Sequence, residues 1–421
     1  MRRDPLRPVL GGGAPFDSTA TEIESRAELD AYLAKGTLAG LVVLGLRLDE
    51  DPPDLTTVDV RDTLFVGCRL ASGTVEIDLI RRGAHLVPPF DHLPYPTHPA
   101  TLYTPDDLAD GFDRGGFAGM YDTRVYHHFL AHGGATPDVR EALAQRLHDA
   151  GIDNALGKAL AEWVAADRGH DAPGEKPAPG RGPVGEKPAP GRGPVGETSA
   201  PGRGPVGVMG GHAEPRGSAH YRMAATLAWR LAGAGRLIVT GGGPGMMEAG
   251  NLGAYFSGRP AKDLDAGIDL LATAPDYLDH NPYTAAAILV RKTLPAERGG
   301  LALPTWLYGH EPANLFAGQI GKYFSNAVRE DSILRLSRGG IVFAPGWAGT
   351  VQEIFQAATK TFYQTDGPSG AFVFLGVEHW SALPAEALLR PLLAKSPHGD
   401  QSNLILVTDS LDEAMDALTG T

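Results

Sequence analysis

Apolar and polar positions follow different periods along this chain, and the change of period divides it. From about residue 205 onward, short apolar runs (VGVMGG, RLIVTGGG, GLALPTWLYG, GIVFAPG, AFVFLG and NLILVTDS) alternate with longer stretches such as SAHYRMAATLAWRLAGAG and TVQEIFQAATKTFY, whose apolar residues recur at helical spacing. Wholly apolar strands alternating with amphipathic helices predict a parallel sheet covered on both faces. Residues 205–421 therefore read as α/β, a Rossmann-like doubly wound domain. Upstream, LAGLVVLGLRL, DTLFVGCRL and GAHLVP are β-rich runs between polar turns, and TPDDLADGF and DVREALAQRLHDAGI carry N-cap and helical signals. Residues 1–168 read as an α+β accessory domain, whose role the sequence leaves open.

Between the two lies a tandem repeat. EKPAPGRGPVG spans 175–185 and again 186–196, and ETSAPGRGPVG follows at 197–207. With Pro and Gly so dense and almost nothing to bury, this segment cannot offset its ordering entropy, and residues 169–204 are predicted to be a disordered linker. The last copy runs directly into VMGGHAEPRG, so Pro205, Val206 and Gly207 should begin a strand. The upstream copies then read as duplicated strand entrances. A Pro-rich docking motif would need a clean PxxP with apolar anchors, which is missing.

Composition narrows the function. At 421 residues the chain exceeds one ordinary domain, and 43% hydrophobic with 21% charged residues suits a globular protein. A formal charge of −13 and a pI near 5.5 argue against binding nucleic-acid polymers or anionic membranes. An anionic substrate must be small and held locally. Cys68 is the single cysteine, which excludes an internal disulfide and a thiolate metal cage. A buried core thiol is the expectation for it. MRRDPLRPVLGGGAPF lacks the apolar run of a secretory signal, and no later run approaches membrane-spanning length. The expected location is the cytoplasm. His128 and His132 stand at i, i+4 spacing in YHHFLAH, which can grip a metal, but no third ligand is evident and an amphipathic helix explains them as well. No metal is expected.

In a doubly wound sheet the ligand crevice lies beyond the carboxyl ends of the strands, where helix amino termini direct free N–H groups outward. Three features fall at that edge. The first is TGGGPGMMEAGNLGA, residues 240–254, in which Gly242, Gly243 and Gly245 let the backbone approach a ligand before a helix that opens with Met246 and Glu248. It fails the dinucleotide fingerprint, because Glu248 stands where the third glycine belongs, although Asp263 sits at a suitable distance for a ribose contact. The second is FAPGWAGTVQE, with Gly346 and Gly349 leaving room, Thr350 near a helix start and Glu353 three residues on. Glu353 is either a capping-box glutamate reaching back to Thr350 or a carboxylate facing the crevice. The third is a predicted helix over 316–336, with Ile320, Tyr323, Phe324, Ala327 and Leu334 on one face and Lys322, Ser325, Asn326 and Arg329 on the other. That polar stripe is either solvated or lines the same crevice. Just ahead, YGHEP offers His310 and Glu311 as substrate contacts or as a loop hydrogen-bonding pair.

GGGPGMMEAGNLGA together with PGWAGTVQE resembles the paired signatures of the LOG (Lonely Guy) family, GGGxxGxM and PGGxGTxxE, and PTWLYGHEPANLFAGQIGKYFSNAVRED resembles its longer bacterial members near the nucleotide 5'-monophosphate nucleosidases. The resemblance covers roughly residues 206–421. It implies a phosphoribohydrolase that cuts the N-glycosidic bond of a nucleoside 5'-monophosphate, giving free base and ribose 5-phosphate. Carried over by position, the catalytic pair falls on Arg329 and Glu353, and the Gly-rich loops with Thr350 surround the phosphate. Trp347 departs from the pattern, standing in place of the second glycine of PGG. The resemblance further implies no cofactor and a homo-oligomer. A nucleotide sensor or carrier of the same superfamily is the alternative, and a dinucleotide-dependent oxidoreductase a weaker one. The preferred base has no recognisable code in one sequence.

Overall fold

A computed structural model describes residues 22–170, 204–296 and 299–420. The predicted linker falls almost wholly outside these residues. The chain groups into two units, one comprising Met1–Ala100 with Gly157–Thr198 and the other Thr101–Leu156 with Ser199–Thr421. Residues 101–156, read from the sequence as part of the accessory domain, thus group with the Rossmann-like sheet.

In the smaller unit four short strands, β1 (Glu22–Ile23), β2 (Val42–Leu44), β3 (Leu64–Val66) and β4 (His85–Val87), pair in parallel in the order β1-β2-β3-β4. Thr37 faces Asp59, Val43 faces Phe65 and Arg47 faces Arg69, a constant offset of 22 residues that stacks one turn of chain on the next. Ile23, Val43, Phe65 and Leu79 fill the interior with Cys68 beside them. The Cys68 thiol sits 3.3 Å from the Val43 carbonyl, and burial pushes it up to about 11.

In the larger unit seven parallel strands follow the order β11-β10-β9-β5-β6-β7-β8. They are β5 (Val206–Met209), β6 (Ile238–Thr240), β7 (Leu301–Ala302), β8 (Gln319–Ile320), β9 (Gly340–Phe343), β10 (Ala371–Leu375) and β11 (Ile405–Thr408). All four residues of β5 and of β9 are buried, as strands covered on both faces must be. Val206, Val208, Val342 and Val373 pack on one face against Leu227, Leu231, Ala254, Ala414 and Leu418 from three helices. The chain runs outward from β5 to β8, then returns to β9 beside β5 and runs outward the other way. The switch point between β5 and β9 is where such a sheet opens a crevice.

The predicted helix over 316–336 divides instead into strand β8 and the shorter helix Asn326–Leu336. The Ile320 N–H and carbonyl both bond Tyr103, in a bridge that covers the outer edge of the sheet. Gln319 and Ile320 pair with β7, so edge pairing prevails over helical periodicity here. Asp149 then accepts hydrogen bonds from the Phe324 and Ser325 amides at 2.8 and 2.9 Å, fixing the loop that leads into the helix. Among the described residues no helix is long and apolar enough to cross a membrane.

Candidate functional site

The carboxyl ends of β5, β6 and β9 bring two glycine loops together. Gly245 caps helix Met246–Phe256 with φ 65° and ψ −127°, and a Cβ there would stand 2.4 Å from the Gly211 carbonyl and 2.7 Å from that of His212. Only glycine fits both the dihedral and the space. Gly211 in turn donates its N–H to the Pro345 carbonyl at 2.9 Å and accepts from the Met246 amide at 3.1 Å, so the two loops are laced through the end of β5. A Cβ on Gly346 would meet Thr350 Oγ1 at 2.1 Å, which seats the buried Thr350 hydroxyl directly against the loop.

Helix Ala348–Tyr363 starts earlier than its sequence suggests, with Trp347 as its N-cap. Thr350 is therefore its third residue and Glu353 its sixth. Glu353 lies beyond the reach of a capping box, which removes that account of it. Trp347 makes no side-chain cap, and the first amides of an α-helix, here those of Ala348, Gly349 and Thr350, have no intrahelical acceptor. A Cβ on Gly349 would touch nothing within 4 Å, so this end of the helix is open.

Arg329, on the first turn of helix Asn326–Leu336, is 6% exposed. Its Nη2 donates to Asn326 Oδ1 at 2.5 Å, its Nη1 lies 4.0 Å from Glu353 Oε1, and its buried Nε has no hydrogen-bond partner. The guanidinium lies along the first glycine loop: a Cβ on Gly241 would be 3.1 Å from Nη1. Burial pushes the Glu353 carboxyl up to about 7, with Arg329 pulling it down and Glu330 pushing it further up. Such an acid can hold or release a proton near neutral pH. Glu311 joins from the other flank, its Oε2 2.8 Å from where a Cβ of Gly243 would stand. Burial raises this carboxyl also, opposed by His310, Arg329 and Lys322.

Not every expected site residue faces the crevice. Glu248 is 1% exposed and fully engaged: Arg216 Nε donates to its Oε2 at 2.8 Å and Arg216 Nη2 to its Oε1 at 2.5 Å, while the Tyr221 and Tyr283 hydroxyls donate to Oε2 at 2.9 and 2.8 Å. With its acceptors spent, it pins the glycine-loop helix in place and does not reach a ligand. Although burial works against the Arg216 charge, Glu248 keeps that guanidinium firmly protonated. The Met246 side chain is buried against Gly210, and its amide already bonds Gly211. Asn326 holds Arg329 and donates to Glu330 Oε1 at 2.8 Å. His310 is exposed, its ring 6.5 Å from that of Tyr126. Gly242 turns with φ 70° after β6, its N–H donating to Thr240 Oγ1 at 3.0 Å.

Three site residues went unnoticed in the sequence. His212 directly follows Gly210 and Gly211 at the end of β5, and its Nδ1 is 3.5 Å from Glu311 Oε1. Met247 lays its side chain along Gly241 and Gly243. His379, in the helix after β10, places Nε2 2.9 Å from the Gly346 carbonyl and packs edge-on to Trp347 at 5.5 Å. The strand-end position of GGH was a readable signal for His212, whereas the other two depend on packing. Trp347 itself is 74% exposed.

Among the described residues no group of three His, Cys, Asp or Glu is placed to hold a metal. His128 and His132 stack at 3.9 Å between ring centres, with His128 Nε2 3.4 Å from Glu141. Asp263, the residue that keeps a dinucleotide reading open, lies in a helix and accepts from Arg259 Nε at 2.9 Å.

No family model matches this sequence, and no curated protein matches it. Among solved structures, the chain is similar to the molybdenum cofactor binding protein from the phototrophic bacterium Rippkaea orientalis, at 14% identity over 52% of this chain and 97% of that one, with a TM-score of 0.31. A likeness at that level carries no argument.

Proposed function

We propose that this chain hydrolyses the N-glycosidic bond of nucleoside 5'-monophosphates to free base and ribose 5-phosphate, the activity implied by its resemblance to the LOG family. The observation that carries the proposal is the Arg329–Glu353 pair: a buried guanidinium with an unused donor beside a carboxyl raised to about 7, at the switch point of the sheet.

The chemistry needs those groups. Departure of the base builds positive charge on the ribose, which an adjacent carboxylate stabilises, and the same carboxylate can take a proton from the attacking water. Glu353 has that role. Arg329 supplies fixed charge and free N–H donors for the sugar and phosphate and keeps part of the Glu353 population ionised. The phosphate sits at the open start of helix Ala348–Tyr363 with Thr350, which anchors the ribose against Glu353.

The test is chromatographic detection of free base after incubation with purine and pyrimidine 5'-monophosphates. At least one should be cleaved, and Glu353→Gln should slow cleavage by about 10²-fold or more. Silence of the intact protein across the panel overturns the proposal. In that case tight nucleotide binding by calorimetry would favour a non-catalytic sensor or carrier, for which the exposed Trp347 offers a stacking surface. The homo-oligomer that the resemblance implies is checked by sedimentation.

A further inference from the structure

Glycosidic cleavage has a second demand besides water activation. The departing base carries the electron pair of the broken bond and leaves far more easily when a proton meets it. Neither member of the pair above can provide that proton. Arginine does not release one at accessible pH, and Glu353 is occupied with the water.

Two other groups flank the same glycine loop. Glu311 Oε2 lies against Gly243, two residues along from the Gly241 that adjoins Arg329. His212 Nδ1 is 3.5 Å from Glu311 Oε1, and the His212 carbonyl lies 2.7 Å from where a Cβ of Gly245 would stand. The imidazole is held by Tyr277, edge to face at 5.5 Å, and its side chain remains 52% exposed, so it borders both the loop and open space. Among the described residues none takes its Nε2.

We propose that His212, oriented by Glu311, protonates the departing base, with His212 as a catalytic residue and Glu311 as its positioning partner. This rests on the hydrolase reading above. The two groups suit the sharing of one proton, because burial raises the proton affinity of the Glu311 carboxyl and lowers that of the His212 ring, narrowing the ordinary gap between them.

The step balances without any co-reactant. The C1'–N bond breaks and its electron pair passes to the base, while His212 Nε2–H gives a proton to a base ring nitrogen or carbonyl oxygen. Water oxygen bonds to C1', and its proton goes to Glu353. Return of that proton through solvent to the His212–Glu311 pair resets the site, and nothing is oxidised or reduced.

The experiment compares two leaving groups in the full chain. The nucleoside 5'-monophosphate cleaved fastest in the panel above needs a proton on its base, whereas 4-nitrophenyl riboside 5-phosphate releases a stable phenolate without one. His212→Ala should lower kcat on the nucleotide by about 10²-fold and on the nitrophenyl substrate by less than about tenfold. Glu311→Gln should show the same asymmetry in weaker form, and unchanged affinity for ribose 5-phosphate would show that both variants keep the site folded. Equal losses on both substrates, or no loss on either, overturn the role of His212 while leaving the hydrolase reading intact. Failure of the unaltered protein to release base from any monophosphate of the panel overturns that reading, and this proposal with it.

Discussion

Arg329 Nη1 stands 4.0 Å from Glu353 Oε1, and a second carboxylate, that of Glu330, stands 4.0 Å from Arg329 Nη2. A buried arginine in a purely structural role closes such gaps to hydrogen-bonding distance, as Arg216 does with Glu248 at 2.5 and 2.8 Å. Two buried arginines in one unit thus show opposite states. Arg216 is saturated, whereas Arg329 retains a buried Nε without an acceptor, which costs about 1–3 kcal/mol of stability. Stability lost at an incompletely paired site is the usual accompaniment of a binding function.

The raised carboxyl of Glu353 makes stability depend on pH in a defined direction. Its folded value of about 7 lies above the ordinary 4.5, so between these the native state binds more protons than the unfolded one, and stability falls as pH rises through that window. Glu353→Gln should therefore match the wild type near pH 4.5 and exceed it by roughly 2–3 kcal/mol at pH 8. Denaturant melts at the two pH values check this. A difference that does not change with pH would contradict it.

Gly346→Ala should disturb the second loop. The new methyl meets Thr350 Oγ1 at 2.1 Å and the Gly211 amide at 2.9 Å, and the backbone atom cannot retreat without breaking the link to β5. A loss of about 1–3 kcal/mol is expected in thermal unfolding, with weaker nucleotide binding by calorimetry. Gly349→Ala, with open space around it, is the control and should cost less than about 1 kcal/mol.

Glu248→Gln keeps the shape but removes the charge opposite Arg216, whose side chain is 0% exposed. An uncompensated buried guanidinium should cost about 3–5 kcal/mol in urea unfolding. A loss below about 1 kcal/mol would show that the tyrosines Tyr221 and Tyr283 suffice to hold the charge.

Asp149→Ala removes the acceptor for the Phe324 and Ser325 amides, just before the helix that carries Arg329. Two orphaned donors should cost about 2 kcal/mol or more. Because the start of that helix sets where the guanidinium stands, base release should fall more in kcat than in KM. Unaltered turnover in a destabilised variant would show that Arg329 is positioned without Asp149.

Much of the fold was legible in the chain. The fully apolar runs of β5, β9 and β10 and their intervening amphipathic helices state a buried parallel sheet through local periodicity alone. The segment 316–336 departs from its local pattern: its helical spacing is real, but Ile320 is claimed by strand pairing with β7 and Tyr103, contacts made by residues distant in sequence. The two glycine loops were readable because close backbone approach requires that residue type wherever the partner lies. The place of Glu248 just after those glycines points it at the crevice, yet the direction of its side chain is set by Arg216, Tyr221 and Tyr283, which no local pattern announces.

By itself the sequence determined the parallel sheet and the glycine loops, since these follow from local periodicity and from backbone sterics that act within a few residues, whereas the strand order and its switch point between β5 and β9 required long-range pairing. Tertiary structure alone decided which charged side chains are spent and which remain available. Whether Glu248, Glu311 or Glu353 faces a ligand depends on desolvation and on partners brought in from other strands, and both exist only once the sheet has closed around them.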